Sequence, residues 1–414
     1  MNALREIEQA VLAEGREWTR RRLEEKLQLA SHALATVCPA TGRPLQETRW
    51  RDLQLHTVTG LIALRVRHGY SAALGEWICP ARLAWGLAAY QRVSPELEAL
   101  VCYTATAVGS FEGAAAMAQR WGSPVSDDLI HAHVQQRGAV AKDLTRPSPA
   151  VPAREPAFSL VIMMDGWMAR ERGPDWGASA RKKAPERIAW HEIKSAVIYR
   201  LEQRAEKASG RGLLLEKFIV ACPPATTPVD FGAAVEAEAR QRGLGRAKHV
   251  YLVMDGAVWL WDLAEDRFAT AVKTLDFHHA SEHLWAVGHA LHGEGSAAAV
   301  AWVEKLLHHL RHGQEARVVR RLQDLLTPAA GRSAETQALL QREAHYFKTH
   351  REHLHYQTIE RAGAPIGSGA VESLGAQLQR RFRCSGQFWM RPGLSHLLAL
   401  AVLFRNRDEA YLWN

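Results

Sequence analysis

Cysteine is scarce in this 414-residue chain, and its five cysteines are never closely paired. They are Cys38, Cys79, Cys102, Cys222 and Cys384, and no two of them form a Cys-x-x-Cys pair. An odd number at such wide spacing supports neither a disulfide framework nor a strong zinc pattern. We therefore expect a reducing, cytoplasmic environment.

Long apolar runs are also missing. The longest one near the C-terminus is LLALAVLF, from Leu397 to Phe404, far short of the roughly 20 residues that span a bilayer. The first residues, MNALREIEQAVLAEG, include acids early and contain no apolar core of a secretory signal. The sequence therefore predicts no membrane association.

The charge balance is basic. The chain has 52 Lys and Arg residues against 44 Asp and Glu residues, with a net charge of +8 and a pI near 9.3. Such a surplus suits a polyanionic partner without identifying it. The length is sufficient for about two or three domains, each with a core of its own.

The first part of the chain is predicted to be mainly helical. Residues 3–35 have helical spacing, and the alternation in LQLHTVTGLIALRVRH predicts a β-hairpin around Gly60. Two short helices follow, at 110–121 and from 126, separated by Gly-Ser-Pro. They have the shape of a helix-turn-helix, with Arg137 and Lys142 as candidate DNA contacts, although plain packing also explains such a pair.

A proline-rich stretch at 146–157 predicts a linker, and an α/β pattern follows it. We predict strands at 158–165, 186–201, 213–221, 248–255 and 270–276, a helix at 229–242, and almost continuous helix over 278–358. Trp259 and Trp261 alternate after Asp255, which predicts an extended segment with both rings on one face. Core packing is one role for these rings, and base stacking or hairpin insertion is the alternative.

Three acidic residues lie at the boundaries of these predicted strands and helices. Asp165 closes the apolar run SLVIMMDG, Asp255 closes HVYLVMDG, and Glu372 opens the helix of PIGSGAVES. Carboxylates at strand ends are the hard oxygen ligands that two divalent metal ions need for phosphoryl transfer. Taken singly, each Asp-Gly pair is also a common turn, and Glu372 could simply complement a helix dipole.

The predicted helix after Glu372 continues with Arg380, Arg381 and Arg383. Helical spacing places positions 372, 376, 379, 380 and 383 on one face. Guanidinium groups beside a metal-binding carboxylate could hold phosphates, so these arginines are candidate DNA contacts. A solvated basic face is the alternative.

The segment LDFHHASEHL at 275–284 has two interpretations. His279, Glu282 and His283 match the H-x-x-E-H pattern of inverted zincin peptidases. Alternatively, Asp276 and His279 form a pair that orients the ligands or the substrate of the carboxylate site. The five-residue peptidase match is weak.

Several of these segments resemble one known family. VIMMDG, VYLVMDGAVWLWDL, LDFHHASEHL, GAPIGSGAVES, RFRCSGQFW and LAVLFRNRD, which together span most of residues 158–410, are similar to the ISKra-four family of bacterial insertion-sequence transposases, related to the Mutator-like DDE group. The resemblance implies a ribonuclease-H-like catalytic core that is interrupted by a helical insertion. It also implies cutting and joining of double-stranded DNA with two Mg²⁺ or Mn²⁺ ions.

Carried onto this sequence, the family's catalytic and metal-binding acids fall on Asp165, Asp255 and Glu372, and its D-x-x-H pair falls on Asp276 and His279. Residues 1–145 would bind the terminal inverted repeats, and 146–157 would be the linker. The catalytic core would comprise 158–277 and 360–414, with the all-helical insertion at 278–359. A homo-oligomer on DNA, associated with the nucleoid, would act on both element ends and the target.

The N-terminal part departs from the family's pattern. Relatives have a CPxCG knuckle, whereas this chain has CPATG at 38–42 and a lone cysteine at 79. Thr41 cannot replace a thiolate as a zinc ligand. This departure leaves a catalytically inactive, transposase-derived DNA-binding protein as the alternative to an active transposase, with the zinc peptidase as a remote third.

Overall fold

The computed structural model describes residues 3–147, 155–173, 188–206, 208, 212–327 and 332–413. Its internal contacts divide the chain into unit 1, residues 1–144 with 399–414, and unit 2, residues 145–398. The division falls just before the predicted linker, whose residues 148–154 lie outside the described part. The sequence prediction assigns 399–414 to the catalytic core, whereas the internal contacts group these residues with unit 1.

Unit 1 combines helices with a small antiparallel sheet. Its elements before the linker are α1 (Ala3–Ala33), β1 (Gln46–Thr57), β2 (Gly60–Ser71), β3 (Glu76–Ile78), α2 (Pro80–Ala84), α3 (Pro95–Ala107), α4 (Phe111–Trp121) and α5 (Asp127–Lys142). The sheet order is β1-β2-β3. The predicted first helix is therefore confirmed.

The predicted hairpin around Gly60 is confirmed as well. Strands β1 and β2 pair antiparallel from Thr57 opposite Gly60 outwards, and Gly60 has a φ of 112°, which favours glycine. Leu55 and Ile62 are buried opposite each other, 3% and 1% exposed. The apolar half of the alternation thus faces the core of unit 1.

The two predicted short helices are α4 and α5. Ser110 caps α4 by accepting a hydrogen bond from the backbone N–H of Gly113, and Ser126 caps α5 through Leu129 N–H. Gly122 ends α4 in the left-handed region, with a φ of 86°. Helix, turn and helix form as the capping residues predict.

Unit 2 begins with strands and ends with helices. Its strands are β4 (Ser159–Arg172), β5 (Ile188–Arg200), β6 (Arg204–Glu206), β7 (Gly212–Leu214), β8 (Phe218–Cys222), β9 (His249–Met254) and β10 (Val272–Leu275). Its helices are α6 (Pro228–Gln241), α7 (Val258–Arg267), α8 (Phe277–His292), α9 (Ala297–Arg311), α10 (Glu315–Asp324), α11 (Ala334–Thr349), α12 (Tyr356–Arg361) and α13 (Gly369–Phe382). Helix α14 (Arg391–Asn406) runs across the division and α15 (Ala410–Trp413) ends the chain.

Five strands of unit 2 form one mixed sheet with the order β10-β9-β4-β5-β8. Strand β4 pairs antiparallel with β5 and parallel with β9, β5 pairs antiparallel with β8, and β9 pairs parallel with β10. The first and fourth strands of this sheet are therefore neighbours. This mixed α/β arrangement is consistent with a ribonuclease-H-like fold.

A large hydrophobic cluster of unit 2 covers one face of that sheet. Leu160, Ile162 and Met164 of β4 are buried together with Leu252 and Met254 of β9. Helices α6 to α12 add their apolar residues to the same cluster. Because side chains alternate along a strand, the residues between these positions point to the opposite face, where α13 packs against β4 and β5.

Two local predictions are wrong. The segment with Trp259 and Trp261 is the helix α7, so the rings do not share the face of a strand. The predicted strand 213–221 is two strands, β7 and β8, that separate at the charged pair Glu216 and Lys217. In the part of the chain that is described, no helix combines the length and the apolar character needed to cross a membrane.

Candidate active site

Asp165 and Asp255 lie side by side at one end of the mixed sheet. The parallel pairing of β4 with β9 ends at Met164 opposite Met254, and the two aspartates are the next residues. Neighbouring strands are about 4.8 Å apart, so the two main chains carry their carboxylates from adjacent positions. Strand β4 continues to Arg172, beyond the end expected at Asp165.

The main chain around Asp255 is held by a buried indole. Trp261 is 9% exposed, and its Nε1–H donates a 2.8 Å hydrogen bond to the carbonyl oxygen of Asp255. The Asp255 carboxylate itself accepts from the backbone N–H of Ala257 at 2.9 Å. Helix α7 thus fixes the turn in which Asp255 lies.

Glu372 lies in the first turn of α13, as the sequence predicts. Its Oε1 accepts a 2.5 Å hydrogen bond from the hydroxyl of Ser368, the residue before the helix. The side chain is exposed. Helix α13 packs on β4 and β5 and places Glu372 near Asp165.

The electrostatics of Asp165 show that the three acids are neighbours. The pKa of Asp165 is raised to about 6, mainly by burial and also by the negative charges of Asp255 and Glu372. The hydrogen bond from the backbone N–H of Gly166 and the charge of His279 act in the opposite direction. Three carboxylates and one histidine therefore share an electrostatic environment that favours added positive charge.

Asp276 is fully buried, at 0% exposed, and caps helix α8. Its Oδ1 accepts from the backbone N–H of His279 at 2.8 Å, and its Oδ2 accepts from the backbone N–H of Ser368. Burial raises the pKa of Asp276, but the hydrogen bonds from His279 and Ser368 outweigh it and hold the pKa well below its usual range. Asp276 thereby joins the start of α8 to the start of α13.

His279 is the positive group of the site. Its Nδ1 lies 3.3 Å from Asp276 Oδ1. The pKa of His279 is raised to about 9, mainly by this contact and also by the charges of Asp255 and Glu282, which together outweigh the lowering effect of burial. The imidazole is therefore protonated at neutral pH, beside the carboxylates.

The carboxylate oxygens of the site are the type of ligand that a hard divalent cation binds. Asp165 and Asp255 offer oxygen ligands from adjacent strands, and the repulsion that raises the pKa of Asp165 would be relieved by a cation. Within the described ranges, no three His, Cys, Asp or Glu side chains are arranged to hold a metal ion as they stand. The two aspartates thus fit as a pair, while Glu372 bonds to Ser368.

The peptidase pattern does not form a metal site. His279 pairs with Asp276, whereas His283 Nδ1 contacts Glu343 Oε2 at 2.5 Å. The His283 ring also stacks on Tyr346, with ring centroids 3.9 Å apart. Because each histidine has a different carboxylate partner and no metal-holding group is present among the described residues, the zinc peptidase hypothesis has no structural support.

The three candidate arginines of α13 differ in environment. Arg380 and Arg383 are exposed, on the face that carries Glu372. Arg383 also stacks over the ring of Trp190 at 4.7 Å. The prediction that Arg381 contacts phosphates is wrong, because Arg381 is 2% exposed and its guanidinium lies 5.1 Å from the Trp389 ring centroid inside unit 2.

The two candidate DNA contacts of α5 also differ. Lys142 is exposed in the last turn. Arg137 makes hydrogen bonds of 2.8 and 2.6 Å to both carboxylate oxygens of buried Glu98, and its guanidinium lies 4.8 Å from the Trp413 ring centroid. Arg137 is therefore engaged within unit 1, which contradicts its assignment as a DNA contact.

Sequence reasoning missed one close contact at the site. An ideal Cβ on Gly256 would lie 2.3 Å from the Tyr346 ring and 2.6 Å from its hydroxyl. Gly256 is absent from the positive-φ residues, so a left-handed backbone conformation is not the reason for this glycine. The glycine instead makes room for Tyr346 of α11. The roles of Ser368 and Trp261 as hydrogen-bond donors at the site were also missed, although the position of Ser368 before the Glu372 helix was a signal for the first of them.

No protein-family model matches the sequence, and no curated protein matches it. Among solved structures, the Drosophila P element transposase strand transfer complex is similar with a TM-score of 0.36 and 10% identity, over 76% of this chain and 92% of that chain. A likeness at this level carries no argument about function, which rests on the site itself.

Proposed function

We propose that this protein is a DDE-type transposase that cuts DNA at the ends of a mobile element and joins them to target DNA. The supporting observation is the register of the sheet: Asp165 and Asp255 follow directly on paired residues of adjacent parallel strands. The contribution of the Glu372 charge to the raised pKa of Asp165 supports a role for the third acid beside the two aspartates. The sequence resemblance assigns catalytic roles to these same acids.

Asp165 and Asp255 would hold two Mg²⁺ or Mn²⁺ ions, with Glu372 completing the ligand set. Such ions supply charge stabilisation for the attacking and leaving oxygens of a phosphodiester. In hydrolysis, a water oxygen bonds to phosphorus and a 3′ oxygen leaves. In strand transfer, that 3′ hydroxyl attacks a target phosphodiester and displaces another 3′ oxygen. Arg380 and Arg383 would bind the DNA backbone beside these acids.

The remaining polar residues would position the acids. Ser368 donates to Glu372 and to Asp276, so the buried cap of α8 sets the start of α13. Protonated His279 would balance negative charge while the acids are without ions. These roles need no contact with the reacting phosphate.

The experiment is metal-dependent nicking of DNA that contains the flanks of the gene, with the purified full-length protein and Mg²⁺ or Mn²⁺. Glu372→Gln, Asp165→Asn and Asp255→Asn are each expected to lower the nicking rate at least about 100-fold. Glu236→Gln, on α6 and paired with Arg240, is the control for a lost carboxylate. Nicking that survives Glu372→Gln at the wild-type rate contradicts the proposal.

One observation favours a second candidate, an inactive DNA-binding protein derived from a transposase. The described residues contain no group of three side chains arranged to hold a metal ion. This candidate predicts DNA binding without nicking at any Mg²⁺ or Mn²⁺ concentration. Nicking by the wild-type protein that is lost in Asp165→Asn eliminates it.

A further inference from the structure

Unpaired positive charge in unit 1 is concentrated on the small sheet. Residues 43–92, which contain β1 to β3, have seven arginines and no lysine against three acids, a net charge of +4. Residues 110–142, which contain α4 and α5, have three basic residues against three acids, a net charge of zero. The helix pair is therefore electrostatically the poorer surface for a polyanion.

Two other groups of basic residues in unit 1 are neutralised by neighbouring acids. On α1, Arg20 pairs with Glu17 and Glu24, both at 2.9 Å, and Arg21 and Arg22 pair with Glu17 and Glu25 at 2.5 and 3.1 Å. On α5, Arg137 is held by Glu98. These guanidinium groups would have to break ion pairs before they could bind phosphate.

The arginines of the hairpin are different. Within residues 3–147, which are all described, Arg49, Arg51 and Arg67 make no ion pair with a carboxylate, and Arg65 reaches Asp52 only at 3.9 Å. All four are exposed. The pKa of His68 reflects this concentration of positive charge. Burial lowers the pKa, and the charges of Arg51, Arg82 and Arg49 lower it as well.

Two exposed tryptophans lie among these arginines. Arg49 stacks over the ring of Trp77 at 3.9 Å, and Arg67 lies 5.0 Å from the ring centroid of Trp50. Trp50 and Trp77 remain 38% and 41% exposed. Stacking holds the guanidinium groups in place without neutralising them, so they stay available for phosphate oxygens.

The spacing of the four arginines along strands β1 and β2 suits contacts with the extended backbone of a polyanion. Arg51 pairs with Val66 and Trp50 with Arg67 in the antiparallel register, so Arg49 and Arg51 point to one face and Arg65 and Arg67 to the other. Successive arginines on one face are about 7 Å apart. Strand β1 is an edge strand of its sheet, which leaves this ribbon approachable from the side.

We propose that unit 1 binds duplex DNA through the β1–β2 ribbon, by its Arg49, Arg51, Arg65 and Arg67 guanidinium groups, and not through the α4–α5 helix pair. The proposal rests on the proposed function for its choice of DNA as the polyanion. Two-stranded ribbons fit the DNA major groove, which is about 12 Å wide. Contacts from both faces can then reach phosphates on either side of it.

The test compares two double variants with equal loss of charge. Arg51→Gln with Arg67→Gln removes two ribbon cations, and Arg120→Gln with Lys142→Gln removes two cations from the α4–α5 region. Full-length proteins are titrated with a fluorescent 40-bp DNA duplex of arbitrary sequence at several salt concentrations. The wild type is also titrated with an RNA duplex of the same sequence. Melting curves of both variants check that unit 1 stays folded.

The ribbon variant is expected to bind about 10-fold more weakly at about 0.1 M salt. Its slope of log K against log salt should fall by about 2, because each phosphate contact contributes about 0.9. The helix-pair variant should stay within about twofold of the wild type. An equal or larger loss in the helix-pair variant, wild-type binding by the ribbon variant, or a preference for duplex RNA of the same sequence overturns the proposal.

The outcome is separable from that of the catalytic proposal. Nicking depends on Asp165, Asp255 and Glu372 in unit 2, and binding to arbitrary duplex is measured without metal ions. A wild-type protein that never nicks DNA, with binding lost in the ribbon variant, leaves the ribbon assignment standing. A protein that nicks DNA, with binding unchanged in the ribbon variant, overturns the ribbon assignment alone.

Discussion

Asp276 accepts a hydrogen bond from the backbone N–H of Ser368, across 92 positions of sequence. The contact is buried, and Ser368 in turn donates to Glu372. A second backbone bond runs alongside, from Phe277 N–H to the carbonyl of Ile366 at 2.9 Å. The position of Glu372 therefore depends on Asp276. None of these hydrogen bonds joins Asp276 to Asp165 or Asp255.

We predict that Asp276→Ala destabilises unit 2 by about 2 to 4 kcal/mol, since it removes a helix cap and leaves a buried N–H without an acceptor. Asp276→Asn keeps one acceptor oxygen and should cost less. Urea unfolding followed by circular dichroism measures both. If Ser368 positions Glu372, Asp276→Asn should also lower the nicking rate at temperatures where it is fully folded. An unchanged rate there contradicts the positioning role.

The metal proposal predicts a stability effect that does not depend on activity. A ligand at 100 times its Kd stabilises the folded state by about 2.7 kcal/mol, which for a unit of this size raises Tm by about 5 to 10 °C. We expect Mg²⁺ or Mn²⁺ to raise the Tm of the wild type. Asp165→Asn and Asp255→Asn should abolish the rise, and Glu236→Gln should retain it. Equal shifts in all four proteins would place the ion elsewhere.

Arg381 should behave unlike its neighbours on α13. Because its guanidinium is buried beside Trp389, we expect Arg381→Gln to cost about 2 to 4 kcal/mol of stability. Arg380→Gln with Arg383→Gln should leave Tm within about 1 °C and weaken DNA binding with a smaller salt slope. Melting curves and DNA titrations distinguish the two sets. A stable Arg381→Gln protein with weakened DNA binding would restore the sequence prediction.

The sequence already contained the reason for this difference. Leu374, Leu378 and Arg381 follow helical spacing, so Arg381 belongs to the apolar face of α13. The strands and the placement of Asp165 and Asp255 were predictable because apolar runs of strand length end at both acids. The contacts of Asp276 with Ser368 and of Gly256 with Tyr346 were not, because they join helices to strand ends over long sequence separations that periodicity does not encode.

Gly256 is predicted to be essential because of Tyr346. Gly256→Ala would place a methyl group 2.3 Å from the ring of Tyr346, and we expect a loss of about 2 to 3 kcal/mol. Gly245→Ala is the matched control, since nothing lies within 4 Å of its Cβ position. A double-mutant cycle with Tyr346→Ala should recover at least about 1 kcal/mol. Strictly additive losses would show that Tyr346 is not the obstacle.

Glu98 in unit 1 gives a prediction for the stability of the protein at acidic pH. It is 1% exposed and accepts hydrogen bonds from His133 and Arg137, at 2.7 Å from His133 Nδ1. Burial raises the pKa of Glu98, but these hydrogen bonds outweigh it and leave the pKa below its ordinary value. A lowered pKa means that the folded state favours the charged carboxylate. The stabilisation by the Glu98 carboxylate is therefore present above about pH 4.3, the pKa of a glutamate in the unfolded chain. It is lost as the pH falls through the lower pKa that Glu98 has in the folded state.

We therefore expect Glu98→Gln to cost about 3 kcal/mol at pH 7, because it leaves the partly buried Arg137 without its partner. The difference from the wild type should shrink steadily below about pH 4. Urea midpoints measured between about pH 3 and pH 7 give both quantities, and Glu96→Gln, exposed on the same helix, should change stability by less than about 1 kcal/mol. If the wild type and Glu98→Gln differ equally at every pH, the ionised carboxylate is not what stabilises the Arg137 contact, and that contact depends on packing against Trp413.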